Sequence, residues 1–126
     1  MNLFKCIMFI LFVKKRIKSV KYCFQGLWIF FSTQHSSWVQ APIALMTILL
    51  GFYLKINVIE WCFVVGAIGL VFVAEIINTA IEFLTDLVSP DYHQLAGKVK
   101  DLAAGAVLLA AITAAIIGGI VFIPKL

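Results

Sequence analysis

Glu75, Asn78, Glu82 and Asp86 are separated by three, four and four residues. That spacing sets them in one narrow stripe along a helix. The stripe begins where an apolar run ends: Val71, Phe72, Val73 and Ala74 precede Glu75, and Ile76 and Ile77 follow it. Carboxylates at membrane depth are costly, and they mark either function or a buried partner. An ordinary solvated helix end is the bland account. It suits Asp86, and Glu82 to a lesser degree, but it suits Glu75 poorly. A structural pair with a lysine of a neighbouring helix is the second bland account.

Downstream, His93, Gly97 and Asp101 recur every four residues, and Lys100 lies close to the same face. A lone histidine is more often structural, but this one sits beside charged residues facing an acid stripe. Acid oxygens suit Mg²⁺, which takes one or two carboxylates together with substrate phosphates. A lysine meets phosphate as a point charge. One further acid can take a proton from an alcohol. Phosphoryl transfer needs those parts and little covalent chemistry. The chain has no G-x-x-x-x-G-K-[ST] loop and no H-R-D or D-F-G element, so it falls in neither of the large kinase and NTPase classes that carry them.

The elements that carry these residues are membrane helices. Of the 126 residues, 63% are hydrophobic and only 13% charged. A soluble domain carries about a quarter charged residues, and a small one buries only part of its apolar surface. An all-α integral membrane protein is therefore expected, with three transmembrane helices and an N-terminal amphipathic surface helix, in one membrane domain spanning 1–126. The surface helix covers about 3–32. There Phe9, Phe12, Val13, Ile17, Val20, Phe24, Leu27 and Phe31 recur at steps of three and four, and lysines fall mostly between them. A fourth span is the alternative for its apolar start. Membrane helices follow at about 36–54, 57–88 and 91–123. The second is apolar from Trp38 apart from Gln40 and Thr47, with Pro42 in its first turns. Ser89 is read as N-cap of the last helix with Pro90 at its first position. Leu102 to Ile123 carries no charge and is rich in alanine and glycine, a surface that lets helices approach closely in lipid.

Charge sets the orientation. Six of the ten basic residues lie in the first 21 positions, and all six acids come after residue 59. With the N-terminal segment and the 86–100 link inside, eight basic residues face the cytoplasm and two face outward. The positive-inside rule favours that arrangement, in the cytoplasmic membrane with the acid stripe at its inner face. The basic segment suits anionic headgroups rather than nucleic acid. Strong basic charge follows the first apolar run instead of preceding it, the wrong order for a cleaved secretory signal. Cys6, Cys23 and Cys62 match no metal spacing and read as small apolar fillers.

The stretch Ala74-Glu75-Ile76-Ile77-Asn78-Thr79-Ala80-Ile81-Glu82 resembles the E-x-x-N-[ST]-A-I-E signature of the membrane-integral prokaryotic diacylglycerol kinase family, which includes undecaprenol kinases. The likeness continues through Asp86, Tyr92-His93, Leu95-Ala96, Lys98 and Lys100 to Leu108, and covers about residues 15–124. It implies a homotrimer with active sites between subunits at the cytoplasmic interface. It implies ATP and Mg²⁺ as cofactors and a membrane lipid as substrate, diacylglycerol or undecaprenol. Glu75 is then the base that activates the lipid hydroxyl, and Glu82 holds the metal bound to ATP. Asn78 orders that site. Asp91, Tyr92 and His93 lie near the nucleotide, Lys100 contacts phosphate, and Asp101 stands beside it. Lys15 and Tyr22 match family positions in the N-terminal part.

The chain departs from the pattern at 34–40. Counting back from Gly51-Phe52-Tyr53 without a gap places Gln34 where the family has a second metal-binding glutamate, and Gln40 where many members have histidine. Glutamine keeps an acceptor oxygen and loses the charge, so Mg²⁺ binding is expected to weaken. His35 is adjacent. A catalytically impaired member with a structural or regulatory role is the alternative to an active lipid kinase. A small transporter or proton-conducting oligomer using the acid stripe is a third account, but the uncharged last helix offers it no continuous polar path.

Overall fold

The computed structural model describes residues 2–126. Among them lie four α-helices and no strand: α1 (Leu3–Thr33), α2 (His35–Tyr53), α3 (Val58–Val88) and α4 (Gln94–Phe122), with a 3₁₀ turn at Ile123–Lys125. The chain forms two compact units, one ending at Gln34 and one running from His35 to Leu126.

The first unit is α1. Nearly all of its side chains are exposed, with Phe30 its buried residue. The Arg16 guanidinium lies 5.0 Å from the centre of the Phe12 ring. At its end the Ser32 and Thr33 hydroxyls donate to the Trp28 and Ile29 carbonyls, each at 2.6 Å. The Gln34 backbone N–H closes on Phe30.

In the second unit α2, α3 and α4 are each long and apolar enough to cross a membrane. At about 1.5 Å per residue, the 31 residues of α3 run roughly 46 Å, well beyond the ~30 Å hydrocarbon layer. A helix of that length outruns the layer, and its last four turns carry the acid stripe. Large apolar side chains are exposed along all three helices, as lipid-facing positions require. Cys23 and Cys62 are also exposed, so they fill no core. Pro42 stands eighth in α2, deeper than expected, and leaves one rung of the helical ladder unmade.

The packed core sits at the opposite end from the stripe. Ile56, Val64, Val121 and Phe122 are buried together, with Leu50, Trp61 and Ile117 against them. The α2–α3 link explains this position. Lys55 takes a φ of 52°, its N–H reaches the Phe52 carbonyl, and the Ile56 N–H reaches Gly51 at 3.2 Å. These are the two bonds of a Schellman cap, and they drop Ile56 onto Gly51. A Cβ on Gly51 would stand 2.8 Å from the Trp61 ring, so only glycine lets that ring seal the corner. Asn57 then opens α3 in a capping box: its side chain accepts from the Glu60 N–H at 2.9 Å, and its own N–H donates to Glu60 at 3.0 Å. Lys125 pairs with the same carboxylate at 3.4 Å, tying the chain's last turn to the start of α3. Glycine avoids the steric cost of the left-handed conformation that Lys55 bears. Lys55→Gly is expected to raise the unfolding free energy by about 0.5–1 kcal/mol, read from thermal unfolding in detergent micelles.

The α3–α4 link differs from the sequence expectation. Ser89 does not open the last helix; it is the C-cap of α3, its N–H bonded to the Thr85 carbonyl at 2.8 Å. His93 is the N-cap of α4, its ring accepting from the Leu95 N–H. Pro90 therefore stands outside both helices. Serine suits either role, and the X-Pro step after it disfavours further helix.

Candidate active site

Four side chains on the last four turns of α3 build the candidate site, in order toward the C-terminal end of the helix. Glu75 is half-buried and follows the apolar run Val71 to Ala74. It accepts a hydrogen bond of 2.7 Å from the Gln40 side-chain amide, 35 residues away on α2. That is short for an amide donor and lies in the range of bonds to carboxylates. The other Gln40 side-chain atom, Oε1, is buried without a partner. Gln40 stands out from the sequence as one of two polar side chains between Trp38 and Phe52, yet no local spacing names its partner. This contact is what the sequence left unseen.

One turn on, Asn78 Nδ2 donates to Glu82 Oε1 at 3.1 Å, while Asn78 Oδ1 is buried without a partner. Thr79 is buried and bonds its hydroxyl back to the Glu75 carbonyl, so it offers nothing outward. At the exposed end, Lys100 of α4 meets Asp86 at 2.6 Å. Both side chains are well exposed, so water and salt screen the pair and it adds little to stability. The bland account of a lysine partner therefore describes Asp86, and it does not describe Glu75.

Other sequence candidates lie further out. Tyr92 is 94% exposed and Asp91 is exposed beside it. The Asp91 carbonyl accepts from the Ser89 hydroxyl. His93 Nδ1 is occupied by its capping bond, which leaves Nε2 toward solvent. Asp101 is exposed on α4. Lys15, Tyr22 and Gln34 belong to the first unit. Lys15 and Tyr22 are exposed there, and the Gln34 amide donates to the Thr33 hydroxyl at 3.1 Å. His35, the first residue of α2, packs edge-on against Trp38 at 5.2 Å between ring centres.

A half-buried carboxylate held by an amide, followed by an acid–amide pair, is a poor structural solution and a good chemical one. The family profile described as prokaryotic diacylglycerol kinase matches residues 21–122, which include every one of these α3 residues. The chain belongs to the prokaryotic diacylglycerol kinase family. It is 38% identical to the undecaprenol kinase of Bacillus subtilis (strain 168) over 109 residues, covering 86% of this chain and 89% of that one. It is 38% identical to a diacylglycerol kinase of Synechocystis over 109 residues, 86% of this chain and 62% of that one. It is 30% identical to the diacylglycerol kinase of Escherichia coli (strain K12) over 100 residues, 79% of this chain and 82% of that one. By family, then, this is a lipid kinase built on three apolar helices, and its family implies ATP as phosphate donor.

Proposed function

We propose that this lipid kinase transfers the γ-phosphate of ATP to the hydroxyl of diacylglycerol or undecaprenol at the cytoplasmic face of the membrane. The observation that carries this reading is the Glu75 carboxylate, half-buried at the edge of the apolar layer and held by Gln40. Only one oxygen is engaged by the amide, so the other is left to take the proton of a lipid alcohol. As the O–H proton moves to Glu75, the alcohol oxygen bonds to the γ-phosphorus. The bond from that phosphorus to the β–γ bridging oxygen breaks, and ADP leaves.

The residues fit Mg²⁺. Glu82 provides a carboxylate, and Asn78 provides a buried amide oxygen that lacks a partner. One or two protein oxygens with substrate phosphates and water make up the usual Mg²⁺ set. The ion would neutralise charge on the transferring phosphate. Asn78 holds Glu82 in place through its Nδ2–H. Lys100, paired with Asp86 at rest, supplies positive charge at the outer end of the stripe. Asp91, Tyr92, His93 and Asp101 lie nearest in sequence to this end and suit the nucleotide.

Lys15 and Tyr22 add to the nucleotide site in this reading, and Gln34 stands as the second metal position. Its amide oxygen is a weaker ligand than a carboxylate. Gln34→Glu is expected to lower the Mg²⁺ concentration for half-maximal rate by several-fold; an unchanged Mg²⁺ curve would remove Gln34 from the site. The remaining family traits, a homotrimer with shared sites and α1 lying in the inner membrane interface, complete the proposal. Exposed phenylalanines and lysines along α1 support that last placement.

The deciding experiment is transfer of labelled γ-phosphate from ATP to lipid by purified protein in detergent micelles. Diacylglycerol and undecaprenol are offered separately, with and without Mg²⁺. A Mg²⁺-dependent phospholipid product from either is expected. No product from either lipid, in folded protein, would leave the impaired-member account standing.

A further inference from the structure

Gln40 stands on the second turn of α2 and is half-buried. Its Nε2–H donates to Glu75 Oε1 at 2.7 Å, while its own Oε1 is buried without a partner. Turning the amide over would set that oxygen against a carboxylate oxygen, acceptor against acceptor. Glu75 therefore fixes the amide, and an unmet buried oxygen is the cost. A contact that served only to hold α2 on α3 would be better made of apolar side chains, because a half-satisfied polar pair is worse than an apolar one. The two helices are in any case clamped elsewhere, near the far end of α2, where Trp61 closes on Gly51 and packs against the Ile56 cluster. The polar contact at Gln40 thus needs a reason beyond the joining of two helices.

The geometry of a glutamate supplies one. The last torsion of its side chain sets the plane of the carboxylate, and that torsion has only a broad preference. One bond to Oε1 narrows it and leaves the second oxygen in a set direction. We infer that Gln40 is a positioning residue for the phosphate transfer: it fixes the plane of the Glu75 carboxylate so that the second oxygen meets the substrate hydroxyl. The inference rests on the reading of Glu75 as the base and adds what orients it. Gln40 acts through Glu75 and takes no proton itself. Misplacing a reacting group by about 1 Å costs on the order of 10²-fold in rate.

Three substitutions separate this role from a structural one. Gln40→Met keeps the length and bulk of the side chain and removes the N–H. Gln40→Glu keeps the shape and puts an acceptor where the donor was. Gln40→His restores an N–H of similar reach. In detergent micelles, kcat for lipid phosphorylation is expected to fall on the order of 10²-fold in Gln40→Met and at least as far in Gln40→Glu. KM for ATP and the unfolding midpoint are expected to stay close to wild type, and Gln40→His is expected to recover most of the loss. In the Glu75→Gln background, Gln40→Met is expected to cost less than about twofold, because a residue that acts only through the base has nothing left to act on. An unchanged kcat in Gln40→Met would overturn the inference, and so would a loss in the Glu75→Gln background as large as in wild type. Losses of rate that follow losses of folded protein across all three variants would return Gln40 to a structural role. A readout without turnover keeps the inference apart from the kinase reading. The chain has three glutamates, Glu60, Glu75 and Glu82. With glutamate isotopically labelled at the carboxyl carbon, each gives one magnetic resonance signal, and Glu75→Gln identifies that of Glu75. Gln40→Met is expected to move the Glu75 signal and leave the other two in place. A shift in a protein that phosphorylates neither lipid would sink the kinase reading alone and leave Gln40 as the residue that orients Glu75. A Glu75 signal that stays in place would sink the positioning role, whatever the activity.

Discussion

Glu75→Gln is expected to lower the rate of phosphate transfer by about 10³-fold, the middle of the range for loss of a general base. The substitution is chosen for what it keeps. Glutamine has the length of glutamate and retains an oxygen that accepts from the Gln40 amide, so the 2.7 Å contact between α2 and α3 survives. It loses only the ability to take a proton. Binding of a fluorescent ATP analogue is therefore expected to stay near wild type while kcat collapses. Glu75→Leu is a different experiment: it strips the Gln40 side chain of its remaining partner and adds an unfolding cost of about 1–3 kcal/mol. A Glu75→Gln protein that keeps more than a tenth of the wild-type rate would reject Glu75 as the base and return the carboxylate to a structural role.

The helices were legible because a bilayer leaves little choice. Long uncharged runs such as Leu102 to Ile123 have to be helical in lipid, where each backbone group must find its partner within the segment. The stripe on α3 was legible for a related reason, since helical spacing sets residues on one face without knowledge of the fold. What the sequence did not show is which side chain across the fold answers that face. Gln40 and Glu75 stand 35 residues apart, and Lys100 and Asp86 stand 14 apart. In each case the approach of two helices decides the pair. The error at Ser89 has a smaller cause. Ser89 and His93 both stand near helix ends, and the difference between two caps is on the order of 1 kcal/mol, which packing overrides.

That difference between faces and partners shapes the prediction at Glu82. A carboxylate on an exposed helix end would tolerate Glu82→Gln with little consequence. A carboxylate bound to Asn78 Nδ2, beside a buried Asn78 Oδ1 that has no partner, would not. Glu82→Gln removes the only charge from this oxygen pair, and the amide N–H groups of the new side chain compete with Asn78 as donors. The metal affinity in the presence of a non-hydrolysable ATP analogue is expected to weaken by about 10–100-fold, the scale for disturbed metal shells. Mn²⁺ titration followed by electron paramagnetic resonance reads this without turnover. Asn78→Leu is expected to weaken it on the same scale, by taking away both the free oxygen and the bond that orients Glu82. Asp86→Asn serves as the contrast, because its partner is an exposed lysine, and it is expected to leave Mn²⁺ binding close to wild type. Equal, small effects at all three positions would mean that the stripe is a solvated helix end and that the metal of this kinase is held elsewhere.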